Sequence, residues 1–216
     1  GIYDGLQEEL DSINGMLNGI NEESYVAKNI KQLALLVESI RLNVKQKECN
    51  KSLVKLVNAI KITTPKFDLF NYNTFVYSRM EIRILMNIAL NINKVDSKEK
   101  GLEILEFCLA AIEPEDVDLR IKILYNLAYD CHRLDINEDA LYYADEGINT
   151  CISNNNLFCL GLLYSRKGIA EYFLEYKTYK RTLERAIIIY EITGEYTLRE
   201  MLITVCDKYN IELSNV

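Results

Sequence analysis

The chain has 216 residues, 49% apolar and 26% charged, a composition that excludes intrinsic disorder as its main description. Nine Gly and two Pro are too few to punctuate a β-sandwich or a βαβ series, and no apolar run approaches the roughly 18 to 20 residues needed to cross a bilayer. Lys plus Arg is 25 against 32 for Asp plus Glu, a net charge of −7, and the excess acid all lies after residue 108. An acidic surface without a basic run repels phosphate backbones, so this chain is not expected to hold nucleic acid by itself.

From the N-terminus, Ile2, Leu6, Leu10, Ile13 and Leu17 already have helical spacing. The chain starts at Gly1; a Gly left by tag cleavage is the simplest account, so a fragment with residues missing upstream is expected. Without a basic then apolar leader, a cytoplasmic location is expected, with no membrane partner. Apolar residues recur at three- and four-residue intervals onward, with breaks at Asn18–Glu23, Lys47–Asn50, Thr63–Asp68, Asn93–Lys100, Glu113–Asp118, Leu134–Asn137, Ser153–Asn156, Glu175–Tyr179 and Thr193–Tyr196. These cut about ten helices. Asn21, Asp96 or Ser97, and Asn137 are the expected caps. Cys49, Cys108, Cys131, Cys151, Cys159 and Cys206 form no CxxC pair and no metal spacing, and read as reduced core residues.

One internal comparison is productive. Leu124, Leu127, Ala128, Cys131, Ala140, Ala144 and Gly147 align without a gap on Leu85, Ile88, Ala89, Ile92, Gly101, Leu105 and Cys108, at an offset of 39 residues. Small residues fall on small residues, as two helices in a close hairpin require. Weaker copies occur at Leu36, Ile40, Leu56 and Ala59, and at Tyr164, Gly168, Leu183 and Ala186. The pattern resembles the tetratricopeptide repeat, with copies spaced more widely than the usual ~34 residues. The expected fold is all-α: a right-handed α-solenoid of degenerate tetratricopeptide-like hairpins, with an irregular helical bundle as the alternative. It spans 1–216 as a single domain, with 1–24 a linker or capping helix and 195–216 a C-terminal capping helix.

No Gly-rich phosphate loop, HExxH or paired metal carboxylates occur, and His132 has no positioned nucleophile, so no enzyme activity, metal or cofactor is expected. The concave side of such an array takes extended peptides. On this register it is lined by Arg83, Met86, Asn87 and Leu90, by Lys122, Tyr125, Asn126 and Tyr129, and by Ser165 and Arg166. A cation four residues before an Asn recurs, Arg83 with Asn87 and Lys122 with Asn126: the amide suits a peptide unit and the cation a carboxylate. The plainer alternative is that Asn is common there and surface cations are solvated. Leu198, Met201, Leu202 and Val205 form a terminal stripe that no later element covers, so they are expected to form a homodimer interface.

The run Ser78 to Leu85, the helix pair Ile123 to Ile148 ending Asp145-Glu146-Gly147-Ile148, and the segment Asn155-Asn156-Leu157 followed by Leu163 to Ala170 resemble the C-terminal regulatory domains of the RRNPP peptide-pheromone receptors, of the Rgg and PlcR kinds. The resemblance implies a regulator whose dimeric repeat domain receives a short secreted peptide, as in quorum sensing, and whose DNA contact runs through an N-terminal helix-turn-helix. No helix-turn-helix lies within these residues, and Arg166 stands where the other copies carry Asn. A docking scaffold and a Rap-like response-regulator antagonist are the alternative functions.

Overall fold

A computed structural model of the chain describes residues 2–43, 48–157, 159–211 and 213, with residues 2–4 as backbone alone. Gly1, Lys47 and the Ile2 side chain, all used above, lie outside the described residues. Among those described, there are ten α-helices and no strand: α1 (Ile2–Gly15), α2 (Tyr25–Arg41), α3 (Cys49–Lys61), α4 (Arg79–Val95), α5 (Lys98–Ala111), α6 (Val117–Arg133), α7 (Asn137–Ser153), α8 (Leu160–Phe173), α9 (Tyr179–Thr193) and α10 (Tyr196–Lys208). None is long and apolar enough to cross a membrane. They form two compact units that divide after Ile112.

In the first unit α2 packs on α3 and α4 on α5, and α2 and α4 also touch. In the second, α6 pairs with α7 and α8 with α9, α6 lies beside α8, and α10 closes on α9. The repeat register predicted the four hairpin pairings, but not the packing of α10 on α9. Leu85, Ile88, Ala89, Ile92, Gly101, Leu105 and Cys108 are all buried, and so are Leu124, Leu127, Ala128, Cys131, Ala140, Ala144 and Gly147. Cys108, Cys131, Cys151 and Cys206 are buried and Cys49 and Cys159 half-buried, all six as free thiols.

Several local expectations need correction. The cap of α2 is Ser24, whose hydroxyl accepts the Ala27 N–H, whereas Asn21 accepts from Glu23 one turn earlier. Ser97, not Asp96, caps α5. Asn137 is the first residue of α7 rather than its cap, because its Oδ1 faces His132 Nδ1 at 3.1 Å. The break expected at Thr63–Asp68 runs on to Ser78, through a 3-10 turn at Tyr72–Thr74. Asn71 holds that loop: its Oδ1 accepts from Asp68 N–H at 2.7 Å and its Nδ2 donates to Lys66 O at 3.0 Å. Phe67 fills the space beneath, fully buried.

The terminal stripe is also corrected. Leu202 is buried with Ile169, Leu183, Ala186, Ile187 and Tyr190, and Leu198 and Val205 pack half-buried on the same cluster. Met201 alone of the four stands out, 60% exposed. A terminal helix turns its apolar stripe onto the hairpin before it, so a second copy is not needed to cover these residues.

Candidate functional site

On α4, Arg83 and Asn87 are half-buried while Met86 between them is in the core. Arg83 borders an open recess of ≈ 400 Å³ with Tyr25, Asn29 and Arg79. On α6, Lys122 and Asn126 are likewise half-buried. Both asparagines bind their own helix: Asn87 Nδ2 donates to Arg83 O at 2.9 Å, and Asn126 Nδ2 to Lys122 O at 2.8 Å. The pairing of a cation with an Asn four residues on is thus first a backbone bond, of the kind short polar side chains make to the preceding turn. It leaves Asn87 Oδ1 to accept from an incoming N–H.

The densest arrangement lies in the second unit. Tyr125 and Tyr129, one turn apart on α6, stack with ring centroids 6.5 Å apart and planes at 22°. From α8 the Arg166 guanidinium lies 4.8 Å from the Tyr129 centroid and 5.9 Å from that of Tyr125. Its Nε is buried without a hydrogen-bond partner, and among the described residues no carboxylate pairs with it. Ser165, expected to face a ligand openly, is buried instead; its hydroxyl bonds Gly161 O at 2.9 Å and meets Tyr190 Oη at 3.0 Å. Tyr190 comes that close because Gly161 carries no side chain: a Cβ there would stand 2.7 Å from its ring.

These groups surround a pocket of ≈ 100 Å³, with Ser165 and Tyr190 in its lining, Arg166 and Tyr125 beside them, and Leu198, Met201, Leu202 and Val205 of α10 as an aliphatic wall. The four residues that read as a dimer stripe therefore face a pocket inside one chain. Tyr190 was missed by sequence reasoning; the signal was Gly161, a small residue at a hairpin contact.

Residues 44–210 match the RNPP family C-terminal domain, which is most of the chain. The chain belongs to the RNPP family. The crystal structure of Bacillus thuringiensis PlcR in complex with the peptide PapR7 and DNA is similar to it with a TM-score of 0.74 at 17% identity, over 93% of this chain and 69% of that one. PlcR in its apo form gives 0.71 at 16%, over 93% and 72%. This likeness shows that the RNPP chain shares their tetratricopeptide-like helical fold. No curated protein sequence matches it.

Burial sets the protonation of this RNPP domain's pocket. It pushes the Tyr190 hydroxyl up to about 12, against a smaller opposite pull from the Ser165 hydrogen bond, and raises Tyr125 against the opposite pull of Arg166. Both are therefore protonated at neutral pH and able to donate. His132, one turn beyond Tyr129 on α6, lies 5.2 Å from the Phe173 ring and 6.3 Å from that of Tyr209. Burial lowers its pKa most and Arg166 adds to the lowering, while Asn137 and Asp135 oppose it.

A His depressed in the folded state leaves the unfolded chain to take up more protons, so stability is present above the unfolded value of 6.5 and is lost as pH falls below it toward the folded value. His132→Gln is accordingly expected to flatten the acid limb of stability. Urea midpoints at pH 5 and pH 7 check it; an unchanged difference between the two pH values would reject the assignment.

Proposed function

We infer that this RNPP domain is the ligand-sensing part of a transcriptional regulator and binds a short signalling peptide along its first-helix faces. The observation that carries the reading is a burial pattern. Within the first unit Arg83 and Asn87, and within the second Lys122, Asn126, Tyr129 and Arg166, stay accessible while their helical neighbours are buried. A helix in a stacked array keeps polar residues at such regular positions where it meets a ligand or solvent. The family match and the PlcR complex, which holds a peptide and DNA, favour the ligand. DNA contact belongs to a separate helix-turn-helix domain and signalling to a homodimer. Because α10 covers its own apolar stripe, the dimer needs a surface beyond Leu198, Leu202 and Val205, with Met201 the residue of the stripe still available.

Calorimetry of the full chain with heptapeptides encoded beside its gene tests the reading. At least one is expected to bind, and Asn87→Ala to weaken it by about fivefold, the worth of one hydrogen bond through Oδ1, while Asp139→Ala changes nothing. If none binds, the sensing role is wrong. Sedimentation equilibrium reports the dimer separately.

A further inference from the structure

We propose that the pocket between α6, α8 and α10 is a carboxylate receptor, in which Arg166 takes one carboxylate of the bound peptide and the α10 side chains take the carbons that carry it. The inference rests on the peptide-binding reading above and names what that site selects.

Arg166 is the reason. The chain carries 32 Asp and Glu, yet among the described residues none pairs with this arginine. Its guanidinium carbon lies 4.8 Å from the Tyr129 ring centroid and 5.9 Å from that of Tyr125, whose hydroxyl also accepts a hydrogen bond from it; these contacts hold the side chain and leave Nε for another group. Nε is already desolvated and has no acceptor. A guanidinium held this way offers a planar fork matched to a carboxylate, and the ordering of the side chain is complete before the ligand arrives.

The surroundings agree in charge and in size. Tyr125 and Tyr190 present hydroxyls, and Ser165 a third, so the polar side of the pocket holds a cation and hydroxyl groups without a carboxylate. The volume of ≈ 100 Å³ is far below the roughly 300 to 1,000 Å³ that enclose a whole small ligand, and suits one side chain or one chain terminus. The opposite wall, Leu198, Leu202 and Val205 with Met201 at its open edge, is aliphatic. A group that satisfies both sides has methylene or α-carbon next to its carboxylate: an Asp or Glu side chain, or the peptide's C-terminus.

Two random heptapeptide libraries separate the sources, one with free and one with amidated C-termini, each incubated with the full chain and the bound peptides recovered by gel filtration and sequenced by mass spectrometry. Enrichment of Asp or Glu at one position in both libraries supports the side-chain source; recovery from the free library alone supports the C-terminus. For a recovered peptide, Arg166→Gln is expected to weaken binding by about tenfold or more. Replacing the recognised carboxylate by its amide is expected to weaken the parent chain equally and the Arg166→Gln variant hardly at all.

Met201→Glu gives a second reading from an exposed position, since it sets a carboxylate at the pocket edge to compete for Arg166; it is expected to weaken binding where Met201→Gln does not. Peptides recovered without acidic enrichment and indifferent to amidation, or an Arg166→Gln variant that binds as tightly as the parent, overturn the carboxylate receptor and leave the peptide reading standing. Recovery of no peptide from either library removes both.

Discussion

Glu81→Ala is expected to destabilise the first unit by about 3 kcal/mol, because this buried carboxylate joins three stretches of chain at once. One oxygen accepts from the Thr63 hydroxyl at 2.6 Å and the Thr64 hydroxyl at 3.0 Å. The other accepts from Ser78 N–H and Oγ, both at 2.8 Å, completing the capping box of α4. Thr63 Oγ1 also receives Gln32 Nε2 of α2 at 2.7 Å. Truncation leaves these half-buried donors unpaired at about 1 to 3 kcal/mol for the group and removes a cap worth about 1. The loop at 62–78 has no helix or sheet ladder to fall back on, so its amides are expected to lose hydrogen-exchange protection first. Urea unfolding gives the magnitude; a loss under 1 kcal/mol would mean that the network does not hold the loop.

Gly101→Ala comes next, at about 2 kcal/mol. A Cβ at this position would lie 1.6 Å from Asn93 Oδ1 and 2.9 Å from the Ala89 carbonyl oxygen. The Asn93 side chain is buried, so yielding disturbs the α4–α5 contact, and the Ala89 oxygen belongs to helix backbone that cannot yield alone. The clash outweighs the ~1 kcal/mol that Ala gains over Gly in a helix. Gly5 supplies the control: within α1, its Cβ would meet nothing within 4 Å, so Gly5→Ala is expected to stabilise by about 0.5 kcal/mol. Comparable urea midpoints for the two variants would show that the close approach at Gly101 is not rigid.

How much was legible depended on the range of the interaction. The helices, their number and the small-residue positions of the α4–α5 and α6–α7 hairpins follow from apolar spacing and the 39-residue offset, since both are consequences of helix period and of close helix approach, as at Gly101 against the Ala89 carbonyl; Gly147 instead makes room for the Leu163 side chain of α8. The family was legible from motifs such as Ser78 to Leu85. Caps were less so: Asn137 follows Ile136 at the start of α7 just as a cap would be placed, but His132, five residues earlier, claims its oxygen. The loop at 62–78 was hidden because its order comes from Asn71, Phe67 and Glu81 acting across several turns, which no local pattern displays.

The candidate site divides in the same way. Sequence by itself placed Arg83 and Asn87, Lys122 and Asn126, Tyr129 and Arg166 off the buried core faces, because 3.6 residues per turn assigns every position a face, although the same register also placed there Met86 and Ser165, which are buried. Only the tertiary structure decided what those faces meet. It turned α10 back onto α9, so that Leu198, Leu202 and Val205 became a pocket wall, and it brought Tyr190 up to Ser165 through the gap at Gly161. It also left Arg166 against two tyrosine rings without a carboxylate. The physical reason is that helix periodicity is a property of neighbours in the chain, whereas burial, pairing and desolvation belong to residues tens of positions apart, and their partners are chosen only when the hairpins pack.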